Sequence, residues 1–539
     1  MLWRARCSTA DGRGPAVGNI PAAGLAVIAG LLLDVAFPGV GWWPLAPLAM
    51  AGLLLTFRGR GVRANTILGF LFGLAFFVPH VSWSGIFVGP VPWLALATLQ
   101  ALYLAGFGAL ATIARRCSSQ ATVRAVVVAS VWVAVEALRS RTPFGGFPWG
   151  RLAFSQADAP TAGLAAMGGI PLISFAVALA GALLAEAAQV SRAAQYDARR
   201  GVVRPAFLAT LSIAVLTVGL LVPTPTDGDR SVTVAAVQGN VPTAGLDFNA
   251  ERRAVLNNHV RETQQLAAEV ADERQARPDV VLWPENASDI DPLRDPDAAD
   301  SISSAARAVG VPILVGTVLR EPAENLSNVS LVWDPVSGPG QRYVKHRPVP
   351  FGEYVPYRAF FRQLSKQVDL IRADFVAGEG PNVLSLGPVK AGTAICFEVA
   401  FDDLLRDAVI GGADLLVVQT NNATFGRSDE STQQLAMSRL RAIEHGRAVA
   451  HISTVGISAL IRPDGSVAQG SGHFTQETLA APLPLRSQQT LATRVGQWPE
   501  FIVVIAALCG IALGLRRKHR RPAGAKSTAS REPASGVTL

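Results

Sequence analysis

The sequence predicts a polytopic α-helical membrane domain of about eight spans, joined to an α/β domain outside the membrane. Charged residues make up only 16% of the 539 residues, against roughly 25% in soluble globular proteins. Hydrophobic residues make up 50% of the chain, which excludes an intrinsically disordered protein. Apolar runs fill residues 20–222, whereas short β-rich runs alternate with charged stretches over residues 230–485. The low charge content is therefore an average over two different parts.

The apolar runs predict about seven membrane helices within residues 20–222 and a final one over residues 500–515. The runs cover residues 20–37, 45–57, 66–81, 91–113, 123–138, 162–184, 207–222 and 501–515. Several approach the ~20 residues that a helix needs to cross ~30 Å of hydrocarbon. The first two runs are less certain as separate spans, because they could form one re-entrant pair.

The arginines predict the orientation of these helices. They follow the second, fourth, sixth and last runs: Arg58, Arg60, Arg63, Arg115, Arg116, Arg124, Arg192, Arg199, Arg200, Arg204, Arg516, Arg517, Arg520 and Arg521. The loops after the first and third runs have neither Lys nor Arg. By the positive-inside rule, residues 1–19 form a cytoplasmic arm, residues 516–539 a basic, disordered cytoplasmic tail, and residues 230–485 lie outside. Arg139, Arg141 and Arg151 follow the fifth run and are the exception.

The net charge of +8 is thus an orientation signal, and it predicts no nucleic-acid partner. The spacing of the cysteines and histidines gives no sign of a metal site or a disulfide. The four cysteines lie far apart without a C-x-x-C pair, and the seven histidines show no H-E-x-x-H spacing. This pattern predicts neither a disulfide framework nor a zinc site.

The outer segment alternates predicted strands and helices. The strands are expected at residues 231–237, 280–283, 313–317, 330–333, 389–396, 415–419, 448–454 and 458–462. The helices are expected at residues 250–276, 298–309, 401–410 and 431–444. Such alternation is typical of layered α/β folds.

Three local patterns in this segment carry reactive side chains. VVLWPE ends in Glu285 after a buried strand, where α/β folds place reactive groups; the alternative is an ordinary solvated acid. YVKHRPVPFGEYVP holds Lys345 and Glu353 in a proline-rich, rigid loop, although a solvated basic loop would look the same. AGTAICFEVAF holds Cys396 and Glu398. A free cysteine is usually a small buried hydrophobe, but an oxidising exterior makes an unpaired thiol a liability.

Taken in chain order, Glu285, Lys345 and Cys396 resemble the Glu-Lys-Cys triad of the nitrilase, or carbon–nitrogen hydrolase, superfamily. The resemblance continues through GADLLVVQTNNATFG, RAIEHGR and GISALIRPDG. Seven spans before such a domain and one after it, together with QGN at 238–240 and GFPW at 146–149, resemble the bacterial apolipoprotein N-acyltransferase family. This resemblance implies a nitrilase-like α/β/β/α sandwich for residues 230–485.

The family implies a ping-pong N-acyltransferase of the bacterial inner or plasma membrane. Cys396 takes an acyl chain from a membrane phospholipid as a thioester, and the N-terminal α-amine of a diacylglyceryl-cysteine lipoprotein accepts it. Glu285 is the implied base and Lys345 the implied oxyanion partner. Glu353 is expected to position Lys345 or share its proton, and Glu398 to position the substrate or the attacking amine. No metal or organic cofactor is expected, and the protein is expected to be a monomer.

Other side chains have open interpretations. Five aromatic residues are candidates to reach the bilayer or line the acyl path, or else to be core residues: Phe351, Tyr354, Phe360, Phe361 and Phe425. Glu136 and Arg139, at the end of the fifth run, are expected either to anchor the structure or to bind a lipid head group.

Two rival functions use the same features. A membrane-tethered nitrilase or amidase would have the same triad with water as acceptor, but a soluble substrate gives no reason for so many spans. A transporter or receptor with an inactive outer domain is disfavoured by the intact triad, and by spans that are nearly free of charged residues.

Overall fold

A computed structural model describes residues 18–196, 203–241 and 251–519. Its helical part contains α1 (Asn19–Val35), α2 (Leu45–Thr56), α3 (Val62–His80), α4 (Pro90–Ala114), α5 (Ala121–Arg139), α6 (Ala165–Tyr196) and α7 (Val203–Thr217). The predicted arm, except for its last two residues, and the predicted tail beyond residue 519 lie outside the described residues. So do Arg199 and Arg200, which supported the predicted orientation.

Within the described ranges, six helices are long and apolar enough to cross a membrane. They are Val62–His80, Pro90–Cys117, Ala121–Arg139, Pro160–Ser191, Val203–Leu221 and Trp498–Arg517. The prediction of about eight spans is corrected to six candidates, because the first two helices have only 17 and 12 residues. At 1.5 Å per residue, the second of these rises only about 18 Å, well short of ~30 Å of hydrocarbon. Both pack against neighbouring helices of the bundle.

Small residues let these helices approach closely. A Cβ atom on Gly108 of α4 would lie 2.0 Å from the backbone oxygen of Asn65 in α3, so only glycine fits this crossing. Close backbone approach at small residues is typical of helix packing in membranes. Along α6, the residues Gly168 and Gly169 have non-helical dihedral angles, which divide the helix near its start.

The α/β part contains twelve strands among the described residues. They are β1 (Arg230–Gln238), β2 (Val280–Leu282), β3 (Ile313–Leu319), β4 (Ser327–Asp334), β5 (Gly338–Val344), β6 (Val383–Leu386), β7 (Val389–Ile395), β8 (Leu415–Thr420), β9 (Ala448–Ser453), β10 (Ala459–Ile461), β11 (Val467–Gly470) and β12 (Glu477–Leu485). One sheet has the order β12-β1-β2-β3-β4-β5, and the other has the order β11-β10-β9-β8-β7-β6. Strands β1–β3 are parallel, as are β7–β9, and antiparallel strands flank each set.

Helices α8 (Arg252–Ala271) and α9 (Pro296–Val309) cover the outer face of the first sheet, and α11 (Leu404–Ile410) and α12 (Glu430–His445) cover that of the second. Three further helices lie outside these layers: α10 (Arg358–Leu364) between β5 and β6, α13 (Leu491–Val495) against α6, and α14 (Trp498–His519) in the helical part. Strand side chains alternate between faces. Val234 and Val417 share the core between the sheets, whereas Trp283 packs with Ile302 of α9 on the other face. The four layers are therefore α/β/β/α, as the sequence resemblance implied.

The helical part meets the α/β part at α12 and at the turn after β7. The indole nitrogens of Trp149 and Trp83 both donate to Gln433 Oε1, at 2.6 and 3.3 Å. The ring of Phe397 is stacked with Trp149, with centroids 6.4 Å apart and planes 13° apart. Because Phe397 follows Cys396 directly, this contact places the end of β7 against the helical part.

Candidate active site

The three residues singled out from sequence each follow the carboxyl end of a strand. Glu285 lies three residues after β2, Lys345 directly after β5, and Cys396 directly after β7. The backbone before Glu285 passes so close to β3 that a Cβ on Gly316 would lie 2.0 Å from the oxygen of Pro284. Glycine at this position is therefore needed for the approach of Glu285 to the site.

Lys345 forms ion pairs with two carboxylates in the interior. Its Nζ lies 2.9 Å from Glu353 Oε1 and 3.4 Å from Glu285 Oε1, and the lysine is only 1% exposed. Burial opposes the charged form, but the Glu353 and Glu285 carboxylates outweigh it and raise the pKa of Lys345 above its ordinary value. The side chain is thus held as an ammonium ion.

Asn328 is a site residue that the sequence interpretation missed. Its Nδ2 donates to Glu285 Oε1 at 2.7 Å and to Glu353 Oε1 at 2.9 Å. One amide thus shares the two carboxylates with Lys345 and offsets their mutual repulsion. The available signal was a polar residue near the start of β4, a strand whose side chains are otherwise almost all buried.

The environment of Glu285 favours proton uptake. Burial raises the pKa of this carboxyl, Lys345 opposes the shift, and the Glu353 carboxylate adds to it, so that the net direction is upward. Thr454 donates to the backbone oxygen of Glu285 at 2.8 Å and fixes its position. A carboxylate with a raised pKa is a better proton acceptor near neutral pH than an ordinary one.

Cys396 occupies a strained backbone position. It opens the 3-10 turn Cys396–Ala400 with a φ of +53°, a left-handed conformation that non-glycine residues rarely adopt and that clusters at functional sites. The residue is partly exposed. Burial of the sulfur raises the pKa of the thiol, the Glu285 carboxylate adds to the shift, and Lys345 opposes it. The resting form is therefore the thiol, which needs a base to react as a nucleophile.

Glu398 is fully buried and ties the turn after β7 to the loop after β5. Its Oε1 accepts from the Tyr343 hydroxyl at 2.9 Å and from the backbone nitrogens of His346 and Arg347 at 2.8 and 3.0 Å. Its Oε2 accepts from the backbone nitrogen of Ile395 at 2.8 Å. These contacts favour a role for Glu398 in fixing the position of Lys345 relative to Cys396, rather than the predicted contact with substrate.

The loop after β5 also presents aromatic side chains. Glu353 Oε2 accepts from the backbone nitrogen of Val349 at 2.6 Å, which closes the loop on itself. Phe351 is 45% exposed, and its ring centroid lies 4.8 Å from Phe361 and 5.9 Å from Phe144 of the helical part. The loop therefore brings an exposed aromatic cluster next to the bundle.

The other aromatic candidates differ in exposure. Phe425 packs edge-on against Trp83 of the helical part, with centroids 5.1 Å apart. Tyr354 is half-buried, and Phe360 is 57% exposed. Phe425 thus contributes to the contact between the two parts, whereas Phe360 faces outward.

Glu136 and Arg139 are both buried against the loop that contains GFPWG. Glu136 Oε1 accepts from Trp132 Nε1 and from the backbone nitrogen of Leu152, each at 2.8 Å. Arg139 Nη1 donates to the backbone oxygens of Phe147 and Trp149 at 2.8 and 2.6 Å. Of the two interpretations left open by the sequence, these contacts favour structural anchoring. In the part of the chain that the structure describes, no cluster of three or more His, Cys, Asp or Glu residues could hold a metal ion.

Comparisons with known proteins match both parts of the chain. The model of the carbon–nitrogen hydrolase family matches residues 233–493, and that of the apolipoprotein N-acyltransferase N-terminal domain matches residues 29–183. The α/β/β/α fold and the Glu, Lys and Cys side chains at its strand ends thus define a carbon–nitrogen hydrolase domain joined to a helical bundle.

Individual relatives extend over nearly the whole chain. An apolipoprotein N-acyltransferase of Mycolicibacterium smegmatis is 41% identical and covers 96% of this chain and 89% of its own length. An apolipoprotein N-acyltransferase of Azotobacter vinelandii is 31% identical, and the match covers 93% of this chain and 96% of that protein. The crystal structure of an amidase from Nesterenkonia sp. is 20% identical, with a TM-score of 0.36 over 49% of this chain and 93% of the amidase. The chain belongs to the apolipoprotein N-acyltransferase family, as its resemblance indicated.

Proposed function

We propose that the protein transfers an acyl chain from a membrane phospholipid, through a thioester on Cys396, to the α-amine of a diacylglyceryl-cysteine at the N-terminus of a lipoprotein. Membership of the family supports lipoprotein N-acylation as the overall reaction. The observation that supports the chemistry is the buried Lys345 ammonium between Glu285 and Glu353. The charges of Lys345 and Glu285 both act on the Cys396 sulfur.

In the first half-reaction, Glu285 accepts the thiol proton as Cys396 Sγ attacks the ester carbonyl carbon of the phospholipid. The resulting tetrahedral intermediate collapses by breaking the bond between carbonyl carbon and glycerol oxygen. That oxygen takes the proton from Glu285 and leaves as a lysophospholipid. The raised pKa of Glu285 suits it both to take this proton and to return it.

In the second half-reaction, the α-amine of the lipoprotein attacks the thioester carbonyl. Glu285 accepts a proton from the attacking nitrogen, the bond between carbon and sulfur breaks, and Glu285 returns that proton to the departing sulfur, which restores both the thiol and the carboxylate. Both reactants are uncharged at the reacting atoms, and no metal or organic cofactor supplies an electron or a group. The thioester intermediate divides one difficult reaction, the aminolysis of an ester, into two easier acyl transfers.

Each tetrahedral intermediate carries negative charge on the former carbonyl oxygen. Lys345, held charged by its two carboxylate partners, supplies one donor to this oxygen, and a backbone N–H near Cys396 supplies another. One such donor typically contributes about 3–4 kcal/mol to transition-state stabilisation. Glu353 serves to orient Lys345, since its carboxylate lies at 2.9 Å from Nζ.

The substrates account for the helical part. Phospholipid and lipoprotein are both anchored in a bilayer, so that the thiol has to be held near lipid. The stacking of Phe397 on Trp149 places the nucleophile turn against the bundle, and Phe351 extends the exposed aromatic surface there. We place this face at the outer leaflet of the bacterial membrane, with Phe351, Tyr354 and Phe425 bordering the lipid path.

The test is complementation of a bacterial strain defective in lipoprotein N-acylation, with mass spectrometry of the lipoprotein N-terminus. We expect the wild-type gene to add one acyl chain to the α-amine, and Cys396→Ser to add none while remaining membrane-inserted. The matched control is Cys509→Ser, which removes an exposed thiol of α14 and should complement fully. Transfer by Cys396→Ser would refute the mechanism.

A second measurement shows whether the acyl group is transferred to a lipoprotein amine or to water. Purified protein incubated with phospholipid alone should gain one acyl mass on Cys396, and the adduct should move to a diacylglyceryl-cysteine peptide when it is added. Release of free fatty acid with no acylated peptide would instead indicate a membrane-tethered hydrolase that uses water.

A further inference from the structure

A buried amide lies beside the candidate nucleophile. Gln434 of α12 is fully buried, and its Nε2 lies 3.6 Å from Cys396 Sγ, within donor range of a sulfur acceptor. The residue belongs to none of the sequence patterns that pointed to the triad. It approaches the sulfur from the helix that packs on the second sheet, whereas Glu285 and Lys345 follow strands of the first.

Neighbouring side chains fix which end of this amide faces the sulfur. Gln434 Oε1 accepts from Thr420 Oγ1 at 2.7 Å and from Asn422 Nδ2 at 3.1 Å. The orientation of Asn422 is set in turn, because Ser453 Oγ donates to its Oδ1 while accepting from the backbone nitrogen of Gly456 at 2.7 Å. The oxygen of Gln434 is thus occupied by donors, so that its NH₂ group is directed at Cys396.

The charges around the thiol make such a donor consequential. Two acids act unfavourably on a developing thiolate, Glu285 after β2 and Glu430 at the start of α12, and Lys345 after β5 is the opposing cation. Glu353 and Glu398 flank Lys345 from the loop after β5 and the turn after β7. A hydrogen bond to the charged form of an acid favours ionisation, and donors to charged groups are about twice as strong as neutral ones.

We propose that Gln434 orients the Cys396 thiol and donates a hydrogen bond to its thiolate when Glu285 removes the proton. This inference rests on the proposed function, since it assigns Gln434 to the nucleophile of that reaction. Gln434 transfers no proton itself. Its amide gives the thiolate formed in each half-reaction a hydrogen-bond donor from α12, in addition to the contact with the Thr420 hydroxyl at the end of β8 and the charge of Lys345.

The experiment measures the reactivity of Cys396 with iodoacetamide as a function of pH, by mass spectrometry of the Cys396 peptide from the full-length protein in detergent. Gln434→Met removes the donor at similar volume, and Gln434→Glu replaces it with an acceptor of the same shape. A lost hydrogen bond to a charged group corresponds to about a tenfold change or more. We expect Gln434→Met to slow alkylation about tenfold at pH 8, and Gln434→Glu to slow it further.

The matched control is Gln433→Met, the adjacent residue, whose amide contacts Trp83 and Trp149 rather than the sulfur. Its alkylation profile should coincide with that of wild type. Wild-type alkylation rates in both Gln434 variants would overturn the inference, and having two variants keeps the test decisive if one fails to fold.

The outcome is distinguishable from failure of the proposed function, because alkylation needs neither phospholipid nor lipoprotein. Slowed alkylation in the Gln434 variants, with no acyl mass on wild-type Cys396 after incubation with phospholipid, would support the thiol contact and refute the acyl transfer. An acylated wild-type Cys396, with unchanged alkylation in the variants, would refute the role of Gln434 alone.

Discussion

Arg151 of the helical part donates from Nη1 to Asp402 Oδ2 of the α/β part, at 2.7 Å. The other oxygen of Asp402 accepts from Arg441 Nη2 at 2.9 Å, and the guanidinium of Arg441 also donates to two backbone oxygens of the turn Cys396–Ala400. One carboxylate therefore joins the bundle to the helix that holds the nucleophile turn. The two parts of the chain meet through a buried ion network as well as through aromatic contacts.

Asp402→Asn is expected to destabilise the protein by several kcal/mol and to slow thioester formation. Burial alone would raise the pKa of Asp402, but Arg151 and Arg441 outweigh it and hold the pKa at about 2. The stabilisation is therefore present above the unfolded-state pKa near 4 and lost only as pH falls towards 2. Arg151 and Arg441 each lose one carboxylate but keep another, Glu136 and Glu444, so the cost should not exceed the value of about 3–5 kcal/mol typical of a broken buried ion pair. Thermal unfolding in detergent between pH 5 and 8 measures this loss.

The control for this variant is Asp369→Asn, which breaks an exposed ion pair with Arg362. Exposed pairs contribute about 1 kcal/mol or less, so this variant should unfold close to the wild-type temperature. Equal unfolding temperatures for Asp402→Asn and Asp369→Asn would show that the buried network contributes nothing to the junction.

Asn328→Leu should reduce the rate of thioester formation about 10–100-fold, because a hydrogen bond to a charged group contributes about 1.5–3 kcal/mol. The substitution leaves Glu285 and Glu353 with Lys345 as their shared partner, so that Lys345 is drawn further into neutralising them. Asn328→Asp adds a third carboxylate at the same site and should slow thioester formation further. Single-turnover acylation with phospholipid measures both rates, and a wild-type rate in Asn328→Leu would exclude a role for this amide.

Much of this arrangement could be predicted from sequence because the central strands are apolar and bounded by turns. All eight predicted strands and all four predicted helices of the α/β part are present, with ends shifted by a few residues. The missed strands lie away from the centre of each sheet and lack that signal. β5 has four consecutive exposed residues, β11 is largely exposed, and β12 contains two prolines, which are tolerated at a sheet edge.

The site was predictable only where a motif marked it. Glu285, Lys345 and Cys396 were found by their order and spacing, whereas Asn328 and Gln434 lie within ordinary strand and helix patterns. Their importance arises from contacts across 43 and 38 positions of the chain, which no local periodicity encodes. The count of spans failed for a different reason: apolar composition marked α1 and α2 as spans, although at 17 and 12 residues they are too short to count as candidates.

Glu430→Gln should stabilise the protein increasingly as pH rises. Burial raises the pKa of Glu430, the hydrogen bond from Asn422 opposes the shift and Glu285 adds to it, giving a value of about 8. The folded state therefore holds this proton more tightly than the unfolded chain, whose glutamate pKa is near 4.3. Its stability is greatest below that value and falls until about pH 8. The difference in unfolding temperature between variant and wild type should be small at pH 4.5 and larger at pH 8, and a constant difference would contradict the shift.

The orientation of the α/β part is expected to be extracytoplasmic. Arginines follow alternate predicted spans, and the positive-inside rule then places residues 230–485 outside. An alkaline phosphatase domain fused after Leu485 should be active, because that enzyme folds only outside the cytoplasm, where its disulfides form. The matched fusion in the basic tail, one membrane crossing further along the chain, should be inactive yet present at equal level. An active tail fusion with an inactive fusion after Leu485 would place Cys396 in the cytoplasm, away from lipoproteins at the outer leaflet, and would contradict the proposed reaction.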